Sequence, residues 1–168
     1  MLFLNPSKRS NAMYRQRFTI RIGGFLLALV AVAVWSGAPA VAQEKAPSLY
    51  KRLGGYDAIA AVTDDFIPRL AGDPKLGRFF VGVSADSQKR IRQLVVDQLC
   101  EATGGPCFYI GRSMKTSHAG LGITEEDWES TVKHLVASLD KFKVPPKEKD
   151  EFLAIASSLK GDIVTAKK

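Results

Sequence analysis

The sequence predicts an all-α domain, and three observations carry that expectation. Apolar residues recur every three to four positions in several long segments, no segment alternates as a strand would, and glycine or proline groups punctuate the helical stretches. Residues 43–47, "QEKAP", form a flexible lead-in to a domain spanning 48–168. Ser48 is placed to cap a short helix that Gly54–Gly55 stops. From Tyr56 to Leu70 the stripe Ile59, Val62, Phe66 and Leu70 predicts an amphipathic helix, which Pro68 should kink or end. Turn residues at 71–78 lead to the pair Phe79–Phe80.

The next helix is expected over Ser87–Thr103, with Ile91, Val95, Leu99 and Ala102 on one face and Leu94 flanking it. Gly104–Gly105–Pro106 breaks it. Residues 108–122 read as a loop and a short helix ending at Gly120 or Gly122. Thr124, with Asp127 three residues on, begins a helix whose stripe is Trp128, Val132, Leu135 and Leu139 and which ends before Pro145. Pro146 suits the first turn of a last helix with stripe Phe152, Ile155, Leu159 and Ile163. About 120 residues can bury a sufficient core.

The first 42 residues have a different composition. Lys8, Arg9, Arg15, Arg17 and Arg21 precede an apolar run at 22–35, and Ala40–Val41–Ala42 completes the pattern of a cleaved secretory signal peptide. A retained anchor is the alternative, but 14 apolar residues fall short of the roughly 20 that span a bilayer. The basic stretch is long for a signal, which makes Met13 a candidate start. Periplasmic or secreted residence follows, with no stable membrane span after cleavage. Of 24 basic residues that segment holds five and of 17 acidic residues none, so the formal charge of +7 drops to +2 for the rest. So balanced a domain has no electrostatic footprint for nucleic acid.

Cys100 and Cys107 bracket a short loop, which export would permit a disulfide to close; two packed free thiols are the alternative. No Cys-x-x-Cys-His run supports covalent haem attachment of the c type, and two lone cysteines make a poor zinc site. Of the two histidines, His134 lies off its helix's main stripe and reads as structural. His118 follows Met114 by one helical turn, with Tyr109 before it and Ile123 and Trp128 after it. A neutral imidazole among large apolar residues suits an axial ligand to haem iron, although a lone histidine is ordinarily just a packed or solvated side chain.

The segment from Ser48 to Val164 resembles the group I truncated haemoglobins, whose fold is a two-over-two helical sandwich around haem. The resemblance rests on "LYKRLGG", "AVTDDF", "FF", "GGP", "Y-x-G-x-x-M", "HAGLGIT", "HL" and "VP", in that order. It implies a bound haem b with His118 as the proximal iron ligand. It also implies contacts to the cofactor from Phe66, Phe80, Ile91, Val95, Tyr109, Met114, Ile123 and Trp128.

On the distal side this chain departs from the family. Ile67 stands where many members carry a tyrosine, and Ile91 and Val95 stand where glutamine is frequent. Ile67, Ile91 and Val95 therefore line an apolar distal pocket. Helical phase is expected to turn Gln93 and Gln98 from that face, a one-residue slip bringing Gln98 inward being the alternative. Lys89, Arg90 and Arg92 read as solvated surface, with haem propionates as their other possible partners.

The function expected is reversible binding of a diatomic gas, with oxygen binding and transport the family default. An apolar distal side leans instead toward nitric oxide or carbon monoxide. The alternatives are a haem redox enzyme, such as a nitric oxide dioxygenase served by a reductase, and a haem-free helical interaction module.

Overall fold

The computed structural model describes residues 46–166; the expected signal segment, its cleavage site and residues 43–45 lie outside them. The described residues form seven helices and no strand. They are α1 (Leu49–Leu53), α2 (Tyr56–Gly72), α3 (Ala85–Ala102), α4 (Met114–His118), α5 (Glu125–Lys141), α6 (Pro146–Ser158) and α7 (Lys160–Ile163). A 3₁₀ turn, Leu76–Phe80, joins α2 to the loop before α3. None of these helices is long and apolar enough to cross a membrane.

Local chemistry sets most of the boundaries. Ser48 Oγ accepts the Lys51 amide, and Gly54 ends α1 in the left-handed region at φ 101°, which a side chain would strain. Thr124 and Asp127 form the reciprocal box that starts α5. Pro146 occupies the first turn of α6.

Four expectations are corrected. Pro68 does not end α2, which continues to Gly72; Pro68 and Asp64, whose carbonyl loses its helical donor, are both exposed, so water can satisfy that acceptor. α3 begins at Ala85 because Ser84, not a later residue, caps it by accepting the Ser87 amide at 3.2 Å. α4 stops at His118, and the positive φ of Gly120 and Gly122 serves the turn beyond it. The last helix breaks at Leu159, leaving Ile163 on the separate α7.

α2 lies at the centre, packed on α3 to one side and on α5 to the other, while α6 packs on α1 and α5. Leu49, Val62, Leu135, Leu139 and Phe152 form the core shared by α1, α2, α5 and α6. Ile59, Ala60, Val96 and Cys100 form the core between α2 and α3. The face that α3 buries is thus Val96 and Cys100 with Leu99, rotated from the expected Ile91–Val95–Leu99–Ala102 stripe.

Polar ties lock these layers. Asp65 on α2 accepts from Arg69 and, across the layer, from Ser138 Oγ at 2.8 Å and Lys141 on α5. Arg52 on α1 grips Glu148, at 2.6 Å, and Glu151 on α6. Cys100 and Cys107 form a disulfide with a Cα–Cα distance of 5.8 Å, tying the end of α3 to the loop that follows it.

Candidate functional site

The short helix α4 carries the central side chain. Ser113 caps it by accepting the Thr116 amide at 3.2 Å, and the helix presents Met114 and His118 one turn apart. The half-buried His118 ring places Nδ1 2.8 Å from the Met114 carbonyl oxygen. A carbonyl can only accept, so Nδ1 carries the hydrogen and the neutral ring keeps its lone pair on Nε2. Anchoring one ring nitrogen in this way fixes the tautomer and orientation of a metal-binding imidazole. The acceptor that the fold supplies is the carbonyl of Met114, one turn back on the same helix.

The opposite wall is α3, which packs on α2 through Val96, Leu99 and Cys100. Ile91, Leu94 and Val95 stand on its other side, with Ile91 still 36% exposed. A helix with a second apolar stripe, turned from its packed face, is shaped to receive a further apolar body. A cleft of about 590 Å³ separates this helix from the loop and α4. Leu94, Arg90, Gln93 and Asp97 line it from α3, and Tyr109, Arg112 and Ser117 from the other side.

The remaining residues singled out in the sequence are distributed as follows. Tyr109 lines the cleft, and its hydroxyl donates to the Arg112 carbonyl at 2.7 Å, so that polar group serves the loop. Its ring lies so near Gly111 that a β-carbon there would stand 2.3 Å away, which explains the glycine. Phe80 is half-buried at the end of the 3₁₀ turn. Ile123 and Trp128 are buried around the start of α5, and the Ile123 carbonyl accepts the Thr165 and Ala166 amides at 3.0 Å. Phe66 packs against the α1–α2–α5–α6 core. Ile67 is half-buried and stands seven residues after Ala60, hence on the side of α2 that meets α3.

Among the cations, Arg92 is engaged by Asp64 at 2.7 and 2.8 Å, and Lys89 lies 3.4 Å from Asp86. Arg90 instead borders the cleft, facing it together with Arg112, which the sequence did not single out. His134 takes the structural role expected of it, its Nε2 donating to Asp73 Oδ2 at 2.7 Å.

Gln98 requires a correction. α3 is continuous, so Gln98, seven residues after Ile91, shares the face of Ile91, Leu94 and Val95 without any slip or bulge. Counting by sevens along the helix would have shown this from sequence.

No cluster of three or more histidine, cysteine, aspartate or glutamate side chains exists among the described residues to hold a bare metal ion. A single oriented imidazole, next in sequence to the cleft-lining Ser117, suits a metal that brings its own remaining donors, as haem iron does. With an all-helical sandwich around it, this arrangement defines a haem-binding globin.

The chain belongs to the bacterial-like globin family, whose model matches residues 48–165. It is 33% identical over 118 residues to the group 1 truncated haemoglobin GlbN of Mycolicibacterium paratuberculosis, covering 70% of this chain and 85% of that one. Among solved structures, the truncated haemoglobin of Tetrahymena pyriformis superposes with a TM-score of 0.65 at 22% identity, covering 70% of this chain and 98% of that one. The 2/2 haemoglobin of a Synechococcus species, in the cyanomet state and with covalently attached haem, gives 0.64 at 27% identity with the same coverage. Haem with its iron is therefore the cofactor. The oriented imidazole, the unpaired apolar stripe of α3 and the two arginines at the cleft fit such a group.

Proposed function

We propose that this protein is an exported globin that reversibly binds a diatomic gas, with His118 as the proximal ligand of its haem. The hydrogen bond from His118 Nδ1 to the Met114 carbonyl carries this reading, because it leaves Nε2 as the free donor atom. His134 has no such freedom, since its Nε2 is spent on Asp73.

When bound, haem supplies the iron centre at which a small gas is held. The protein's contribution is to fit and orient that group. Met114 fixes the His118 ring, and Ile91, Leu94 and Val95 offer an apolar wall to a flat hydrophobic guest. Arg90 and Arg112 offer charge at the cleft to carboxylates on its edge. Ile67, Ile91 and Val95 give the distal side apolar side chains and present no acid or base. Reversible ligand binding suits that environment better than chemistry requiring proton delivery. Oxygen, nitric oxide and carbon monoxide are the candidate ligands.

Absorption spectra of the ferric, ferrous and carbonmonoxy forms test the reading. The wild-type chain should show a Soret band that shifts with reduction and with carbon monoxide. In His118→Ala that band should weaken or move, and haem transfer to an acceptor protein should accelerate at least tenfold. Unchanged spectra and haem retention in that variant would refute His118 as the ligand.

A further inference from the structure

We propose that the Cys100–Cys107 disulfide is a redox latch on the cleft: oxidised, it holds one wall in place, and its reduction by a dithiol lets the cofactor leave. The inference rests on the reading that haem occupies this cleft. Tyr109, Ile110, Gly111 and Arg112 form that wall, and the same loop runs into Ser113, which caps the helix carrying His118.

Little else fastens the loop. From Pro106 to Arg112 no backbone group pairs with another backbone group among the described residues. Phe108 and Ile110 are 81% and 86% exposed, so their side chains add little burial. The Arg112 carbonyl accepts from the Tyr109 hydroxyl within the loop and, at 3.4 Å, from Ser117 on α4. Toward α3, the tie besides the disulfide is the Tyr109 amide, which donates to the exposed Glu101 carboxylate at 3.3 Å, where water competes. A segment with so few backbone bonds and buried contacts opens locally at low cost. Cys107, by contrast, packs against the core of Ile59, Ala60, Val96 and Cys100, so the S–S bond joins the loop to a fixed layer.

The half-buried Cys107 sulfur is the one open to attack, since Cys100 is 0% exposed. A thiolate of the dithiol bonds to Cys107 Sγ, and Cys100 leaves as a thiolate and takes a proton. The second dithiol sulfur then closes on the first and releases Cys107 as a thiol. Two electrons pass to the protein, and the dithiol ends as a disulfide.

The test compares haem-loaded chains: oxidised wild type, wild type reduced with dithiothreitol and then freed of it without air, Cys107→Ser, and His134→Gln. Haem transfer to an acceptor protein should be at least about tenfold faster in the reduced chain and in Cys107→Ser. In the haem-free chain, trypsin cleavage after Arg112 should accelerate on reduction. His134→Gln, weakened away from the loop, should keep the wild-type rate of haem transfer. Equal haem transfer from the oxidised and reduced chains would overturn the latch and leave the haem reading intact. Equally fast transfer from His134→Gln and Cys107→Ser would also overturn it, by showing a general loss of stability. A wild-type chain that takes up no haem would overturn both readings.

Discussion

The imidazoles of His118 and His134 are chemically alike, and their different tasks come from what the ring nitrogens meet. At His134, Nε2 donates to Asp73, whose other oxygen accepts the Lys75 and Leu76 amides that open the turn to Phe79–Phe80. His134→Gln should therefore leave the haem spectrum unchanged but lower stability by about 1–2 kcal/mol, measured by urea unfolding. The Asp73 carboxyl is held well below the usual range, first by His134 and then by the backbone amides. Asp65 is held low chiefly by Arg69 and Lys141. Carboxyls depressed in the fold stabilise it above their unfolded pKa, about 4, and lose that contribution as pH falls toward the lower folded values. Urea midpoints should thus drop from about pH 4 downward, and Asp65→Asn should flatten that slope.

Ile67 makes a complementary test of the distal side. Because α2 runs unbroken through Pro68, residue 67 keeps its helical phase beside α3. Ile67→Tyr should add a donor and slow oxygen release roughly five- to thirtyfold in stopped flow, with little change for carbon monoxide. No slowing in a folded, haem-loaded variant would show that residue 67 does not face the ligand.

At the scale of elements, the link from α3 to the cleft loop is covalent. The Cys100–Cys107 disulfide closes a loop with a sequence separation of seven, which the chain-entropy estimate makes worth about 2–3 kcal/mol. Reduction, or Cys107→Ser, should lower Tm by about 10 °C in a thermal scan. Helix caps were legible from sequence because Ser48, Thr124 and Pro146 act on neighbours a few residues away. The end of α4 and the break at Leu159 were not, because glycine tolerance and packing on α6 and α7 decide them. The face of α3 was misread for a physical reason. That helix is apolar on two sides, one packed on α2 and one turned from it, and a single-stripe reading merges them. His118 was singled out from the sequence and Gln98 weighed there, whereas Arg112 needed the fold to bring it to the cleft.

For the whole molecule, export is the claim furthest from the folded domain. It rests on the composition of the first 42 residues, which hold five basic residues and no acidic one before Ala40–Val41–Ala42. N-terminal sequencing of protein recovered from periplasm or medium should begin at or near Gln43. A chain starting at Met1 or Met13 and sedimenting with membranes would show a retained anchor instead.

The central claim is that one imidazole, held by Met114, ligates the iron. The iron–histidine stretch of the ferrous, ligand-free protein in resonance Raman tests it most directly. The account predicts a band present in wild type and in His134→Gln, absent in His118→Gly, and restored to His118→Gly by added imidazole. A band that survives in His118→Gly without imidazole, or disappears in His134→Gln, would contradict it.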